Sequence, residues 1–341
     1  ESDTEDQIDI DELDAEDDFV ESDGFETQYS LSQINEIVNN LKPGETFGCP
    51  DLDEKIYRAA DGMSNSSLGM FIEDASSPEW IKSCPVDEDK IKPLNLGRAV
   101  HCALLEPELY ESLYVTAPSL GNSPQQAQID KYNEWVKTGR VEDKKLMPTD
   151  MTIEKMDKTV AFENEVSEKG LTVLSREDKK KLDLMVGSMN AHPTVNQVMS
   201  NIVYAEYSIW WISPESGVLC KCRVDGVAEV DGKHWPLDIK TTGSFDEFGK
   251  SVCEFGYDRQ EAHYLEGFSQ HFVNTLNKML FLVVSSSIMI GRYKSGVFET
   301  PSAWVDDARQ TIDSALLDYK SRCESGDFVS IKEVSYKWRN K

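Results

Sequence analysis

Residues 220–242 read CKCRVDGVAEVDGKHWPLDIKTT, and this stretch constrains the chain more than any other. Its Asp231-Gly232 pair is a strong hairpin signal, because a type I′ turn needs φ above zero at both central positions. Counting outward from that pair sets Val230 against Lys233, Gly226 against Leu237, Asp225 against Asp238 and Arg223 against Lys240. Alternation supports this register. Cys220, Cys222, Val224, Gly226, Ala228 and Val230 share one face with Leu237 and Ile239, and that face is apolar. Arg223, Asp225, Asp238 and Lys240 share the other. Two carboxylates directly opposed repel each other, so the register points to a divalent cation that neutralises them. Pro236 is the awkward residue, since proline cannot donate to a ladder and belongs at an edge, a strand start or a bulge. A bulge there shifts Asp225 against Asp238 by one position.

The rest of the chain alternates helical and strand patterns. Helices are predicted over 30–41, from Ser64 as an N-cap through Ile72, and over 94–106, 127–136, 150–167, 175–190, 257–274 and 301–321. Strands are predicted over 204–212 and 278–286, with a further strand over 287–294 and a loop with a short helix over 242–252. The order is helices, a β-meander, a helix, strands and a closing helix, which makes an α/β (α+β) domain built on a small mixed sheet flanked by helices. Two regions are expected, an acidic disordered tail over 1–28 and one catalytic domain over 29–341, with 114–170 a loop-rich helical stretch.

Charge bears on partners. The net charge is −27, and residues 1–23 hold 13 acidic residues and no basic one. Such a segment solvates or links, and a sharper role is an acidic arm competing with nucleic acid for a basic groove. An acidic chain binds phosphate through a local basic strip or through metal ions, not through a global field. The seven cysteines show no paired CxxC spacing, so reduced thiols in a cytoplasmic protein are expected rather than disulfides. No apolar run is long enough for a membrane helix, and the chain opens on Glu1, which fits a fragment or processed product.

Asp225, Asp238 and Lys240 form the central constellation. Carboxylate oxygens suit Mg²⁺, a hard cation that keeps several waters. Such an ion activates water and stabilises charge on a phosphate oxygen, and Lys240 can orient the water or stabilise the pentavalent phosphorane. An ordinary charged strand face is the bland alternative. Asp225 with Asp238-Ile239-Lys240 resembles the PD-(D/E)XK nuclease signature in its D…DxK form. Gly97-Arg-Ala-Val-His101 resembles the helical GxxxH of the RecB-like branch, and Gln260-Glu-Ala-His-Tyr264 its QxxxY. The strings GMSNSSLGMFI, LNLGRAVHCALLEPE, SGVLCKCRVDGV and LDIKTT look most like the RecE-type exonuclease (exonuclease VIII) domain, over about residues 56–338.

The resemblance implies a Mg²⁺-dependent 5′→3′ exodeoxyribonuclease on linear double-stranded DNA, with Mn²⁺ able to substitute and one or two ions per site. It implies a homo-oligomeric ring, a single-strand annealing partner of RecT type, and a cytoplasmic, bacterial or phage-encoded protein. It makes His101, Asp225, Asp238 and the Ile239 carbonyl metal ligands and Lys240 the catalytic lysine, with Gln260 and Tyr264 beside the site. His101 lies on the apolar stripe of its helix, where a satisfied core histidine is the alternative. Glu206 joins the acidic cluster if its strand pairs beside Asp225. Arg223 faces a choice between a phosphate and a salt bridge to the acids. Ser64 and Ser66 resemble a Ser/Thr pair that opens the first helix in related exonucleases, where a helix N-terminus can take a 5′ phosphate; plain N-capping by Ser64 is the alternative. Competing readings are a RecB-like endonuclease or single-strand nuclease, and a non-catalytic DNA-binding assembly protein.

Overall fold

The structure is a computed structural model that describes residues 29–85, 96–119 and 124–331. The acidic tail over 1–28 lies outside the described residues. The chain opens with α1 (Leu31–Asn39), β1 (Thr46–Cys49), α2 (Glu54–Ala59), α3 (Asn65–Glu73) and α4 (Ser77–Trp80). A second group follows, with α5 (Leu96–Leu105), α6 (Pro107–Leu113), β2 (Tyr114–Thr116), α7 (Gln126–Lys137), α8 (Asp150–Lys169), β3 (Thr172–Leu174) and α9 (Arg176–Ala191). Next come α10 (Pro193–Met199), β4 (Ile202–Ile212), β5 (Leu219–Val230) and β6 (Lys233–Thr242). The chain continues with α11 (Phe248–Phe255), α12 (Tyr257–His271), β7 (Leu280–Met289), β8 (Arg292–Phe298) and α13 (Ser302–Ser325).

Among the described residues two compact units result, one of residues 29–85 with 187–331 and one of residues 96–119 with 124–186. The first holds a six-stranded sheet in the order β1-β4-β5-β6-β7-β8. Every neighbouring pair is antiparallel except β6 and β7, which run parallel. A parallel pair needs a crossover, and α11 with α12 supplies it. One face packs on α12 and α13 through Ile209, Trp211, Cys220, Cys222, Val224, Phe281 and Val283, all fully buried with Phe268 of α12. At Gly267 of α12 a Cβ would lie 2.3 Å from the Trp211 ring, so only glycine lets this helix close on the sheet. A smaller core joins Ile34, Val38, Leu52, Ile56 and Trp210 around α1 and α2.

The second unit is mostly helical, with β2 and β3 paired in parallel. Its loop after α7 is tied down by Arg140, whose guanidinium meets Asp157 at 2.6 Å, while the Tyr132 hydroxyl donates to the same carboxylate at 2.5 Å. Thr149 caps α8, and Gly170 ends it at φ 61°.

The expected hairpin forms. Asp231 and Gly232 have φ of 51° and 71°, and the pairing runs from Val230–Lys233 to Gly226–Leu237 without a shift. Pro236 therefore sits in register opposite Val227, and no bulge arises there. The His234 N–H, two residues earlier, points away from β5 to the Asn274 carbonyl at 3.0 Å. The Pro236 nitrogen has the same parity, so its missing N–H removes no bond to β5.

The counted register holds as far as Gly226–Leu237, the pair next to Asp225 and Asp238. The β5–β6 ladder ends at Gly226–Leu237, one residue short of the two acids, while β6 pairs along its other edge with β7 from Leu237 to Thr242. Other boundaries also move. The strand expected over 278–286 runs on to Met289, and the next begins at Arg292 after a turn at Ile290 and Gly291. His192-Pro193 ends α9 as expected but also opens α10, with proline at its first position. Among the described residues no helix is long and apolar enough to cross a membrane.

Candidate active site

The site in the first unit is built where β5 and β6 part. Asp225 lies within β5 there, and its Oδ2 accepts the Ile239 N–H at 2.6 Å. That amide has the parity that points towards β5, so a side chain takes the bond a ladder partner would have made. The two strands are thus still joined, through a carboxylate, as they diverge.

Asp238 is 2% exposed. Its Oδ1 accepts from Gln260 Nε2 of α12 at 2.7 Å. Its Oδ2 lies 3.2 Å from Lys240 Nζ, an ion pair without an aligned hydrogen bond, and is otherwise buried without a hydrogen-bond partner. The Lys240 ammonium also sits 4.4 Å from the centroid of the Tyr257 ring, a cation–π contact. Tyr257 and Gln260 share a face of α12 by their i, i+3 spacing, so one helix turn supports both the acid and the lysine of β6.

On the other side, β4 brings Glu206 level with Asp225, since Ala205 pairs with Gly226 and Tyr207 with Val224. Carboxylate oxygens of Glu206 and Asp225 lie within 4.8 Å of each other. Glu206 has φ 47°, a strained conformation for a residue with a long side chain. Arg223 Nε donates to Glu206 Oε2 at 2.7 Å, and its guanidinium lies 5.8 Å from the Tyr57 ring centroid. Of the two roles open to Arg223, the structure makes the salt bridge.

Donor chemistry fits a hard divalent cation. The first unit contributes carboxylates, and one buried oxygen of Asp238 carries no hydrogen bond, which a cation can satisfy.

Of the other expected residues in the first unit, Tyr264 and the Ser64/Ser66 pair have local structural partners. Tyr264 is buried in the apolar core one turn beyond Gln260. Ser64 caps α3 by accepting the Ser67 N–H at 3.2 Å and lies 2.9 Å from the Ser66 hydroxyl, so capping is realised. His101 stands half-buried on α5 of the second unit. Tyr257 was not singled out from the sequence, although its spacing to Gln260 was a usable signal. Buried polar groups brace the site from below. Lys221 of β5 donates to the carbonyls of Tyr57, Arg58 and Ala60 at 2.7–2.9 Å, and the His263 Nε2 of α12 bonds the Lys221 carbonyl at 3.2 Å. Burial drives the His263 imidazole down to about 4, so it is neutral and donates from Nε2.

A PDDEXK-like domain family of unknown function (DUF3799) matches residues 79–328, well over half of the chain. No curated protein matches the sequence. A crystal structure described as "Putative exonuclease", from Eubacterium rectale, aligns over 80% of this chain and 91% of that one. Its identity is 13% and its TM-score 0.44, a likeness that carries no argument by itself. The mixed sheet flanked by helices is consistent with a PDDEXK-like nuclease fold, and the chain belongs to the PDDEXK-like family DUF3799.

Proposed function

We propose that this chain is a metal-dependent exodeoxyribonuclease that degrades linear duplex DNA 5′→3′ and leaves a 3′ single strand. The observation that carries the nuclease reading is the convergence of Asp225, Asp238 and Lys240 at the opening of the β5–β6 ladder, with one buried Asp238 oxygen left without a hydrogen bond. Family membership supports a nuclease. The exonucleolytic polarity, a ring-shaped homo-oligomer and an annealing partner of RecT type are carried by the resemblance of the sequence strings to RecE-type exonucleases.

Asp225, Asp238 and the Ile239 carbonyl would hold Mg²⁺, with His101 added on the resemblance and Glu206 beside them. When bound, the ion supplies an activated water and charge for a phosphate oxygen. The chain's own residues do the rest. Gln260 fixes the Asp238 carboxylate by donating to Oδ1. Lys240, steadied by Asp238 and the Tyr257 ring, presents an ammonium that stabilises charge developing on the phosphorane. Ser64 and Ser66, at the start of α3, offer hydroxyls to a 5′ phosphate.

The test is digestion of end-labelled linear and closed circular duplex with Mg²⁺, with and without a 5′ phosphate. Release of nucleotides from 5′ ends of linear DNA alone is expected. Cutting of closed circles establishes an endonuclease instead. No Mg²⁺-dependent cleavage of any DNA leaves a non-catalytic binding protein.

A further inference from the structure

Resting on the nuclease reading, we propose that the tip of the β7–β8 hairpin presses Ile290 into the stacked bases of duplex DNA, with Arg292 on the phosphate backbone. A two-residue turn, Ile290 and Gly291 at φ of 49° and 71°, closes this hairpin beyond the Met289–Arg292 pair. Such a turn takes Asn, Asp or Gly at its first position. A β-branched residue at positive φ is strained, and a held outlier of that kind is a pointer to function. Solvation opposes the residue as well. Ile290 is 91% exposed, and Ile288 and Met289 are exposed beside it. The tip gathers large apolar side chains where turn chemistry and water both call for polar ones.

Charge and position select the occupant. Residues 267–298 contain no Asp or Glu, in a chain that holds 62 acidic residues, and the hairpin carries Arg292 and Lys294. An apolar tip with a basic flank suits base stacks edged by phosphates. Strand β7 also lies against the strand of the candidate site, with Val283 opposite Lys240. From there Ile290 is about 20 Å along the strand, a span that B-form DNA covers in about six base steps. The hairpin is braced below its tip. Ser287 Oγ donates to the Gly243 carbonyl at 3.0 Å, Ser295 Oγ to the Ser188 carbonyl at 3.0 Å, and Lys294 Nζ to both Asp246 oxygens at 2.7 Å. Lys294 is thereby spent on Asp246, and Arg292 is the exposed cation beside the tip.

The experiment uses linear duplexes carrying 2-aminopurine at successive positions from the 5′ end, a base whose fluorescence rises when it unstacks. Asp238→Asn keeps the DNA intact, and Ile290→Asn is added in that background because it restores the Asn-Gly pair the turn prefers. A several-fold rise at a position inside the duplex is expected, and its loss on Ile290→Asn, with a melting temperature unchanged or raised. Arg292→Gln is expected to weaken DNA binding several-fold and to lower the slope of log affinity against log salt by about one. No rise, or the same rise with and without Ile290→Asn, overturns the proposal. So does a smaller oligomer on Ile290→Asn in sedimentation, which sets the tip against a second copy of the chain. Cleavage of linear DNA by the wild-type protein is read separately. Cleavage with a silent probe overturns this contact alone, whereas unstacking that needs Ile290 in a protein that never cleaves overturns the nuclease reading and keeps the contact.

Discussion

The two halves of the β5–β6 hairpin differ in what joins them. From Val230 to Gly226 the strands are held by an unbroken ladder around a tight turn. Beyond Gly226 that ladder stops, β6 stays paired with β7 along its other edge, and the Asp225 carboxylate on the Ile239 amide links β6 back to β5. The closed half is backbone satisfied by backbone, with Val227, Ala228 and Leu237 buried in the core. The open half spends side chains on backbone groups and on one another, and charge collects there. The comparison shows how a sheet makes a reactive site without leaving regular structure: it parts two strands and lets acids fill the gap.

The largest effect is expected from Asp238→Asn. It keeps an acceptor for Gln260 but removes the charge, so cleavage should fall ~1,000-fold or more with the melting temperature nearly unchanged. Retained cleavage would break the comparison, since the open half would then not be the site. Lys240→Met should cost ~100-fold in kcat while leaving DNA affinity nearly intact, as measured by single-turnover kinetics. Gln260→Leu strands the buried Asp238 Oδ1, and a ~10-fold loss is expected, mostly as a weaker response to Mg²⁺ in titrations of rate against metal.

A smaller effect concerns the brace of the open half. Burial lowers the His263 pKa from the ordinary 6.5 to about 4. The unfolded chain therefore binds more protons than the folded one between those values. The stabilising contribution is complete above about pH 6.5 and is lost as pH falls towards 4. Urea unfolding across that range should show the decline, and His263→Gln should flatten it. The smallest effect is expected in the closed half. Gly232→Ala, at φ 71°, should cost about 1 kcal/mol of stability with the cleavage rate at 25 °C unchanged. A change in rate from that variant would show that the two halves are coupled.

Much of this hairpin was legible beforehand, for local reasons. A two-residue turn sets a register, and a register assigns every side chain to a face. It does not say where a ladder ends, nor which strand fills the other edge of β6, since β7 arrives 38 residues after the end of β6. The counted register holds up to the pair beside the two acids, where the ladder ends. Glu206 was read as conditional on strand pairing, and the structure supplies the pairing, but its positive φ had no signal in a run of strand-forming residues. The turn at Ile290 was hidden likewise, since isoleucine is among the residues least expected at φ 49°. Strand β1 has four residues and shows no period long enough to read.

Lys221 carries one last consequence. Its ammonium is 5% exposed on the central strand and is satisfied by three carbonyls at the end of α2. If α2 lifts away, a charge is stranded against the sheet, so β5 loses its own stability at the same moment. Helix α2 and strand β5, some 160 residues apart in sequence, should therefore behave as a single cooperative unit. In native-state hydrogen exchange their amides should report one common opening free energy, and a cut in the 40–45 loop should loosen the strand that carries Asp225.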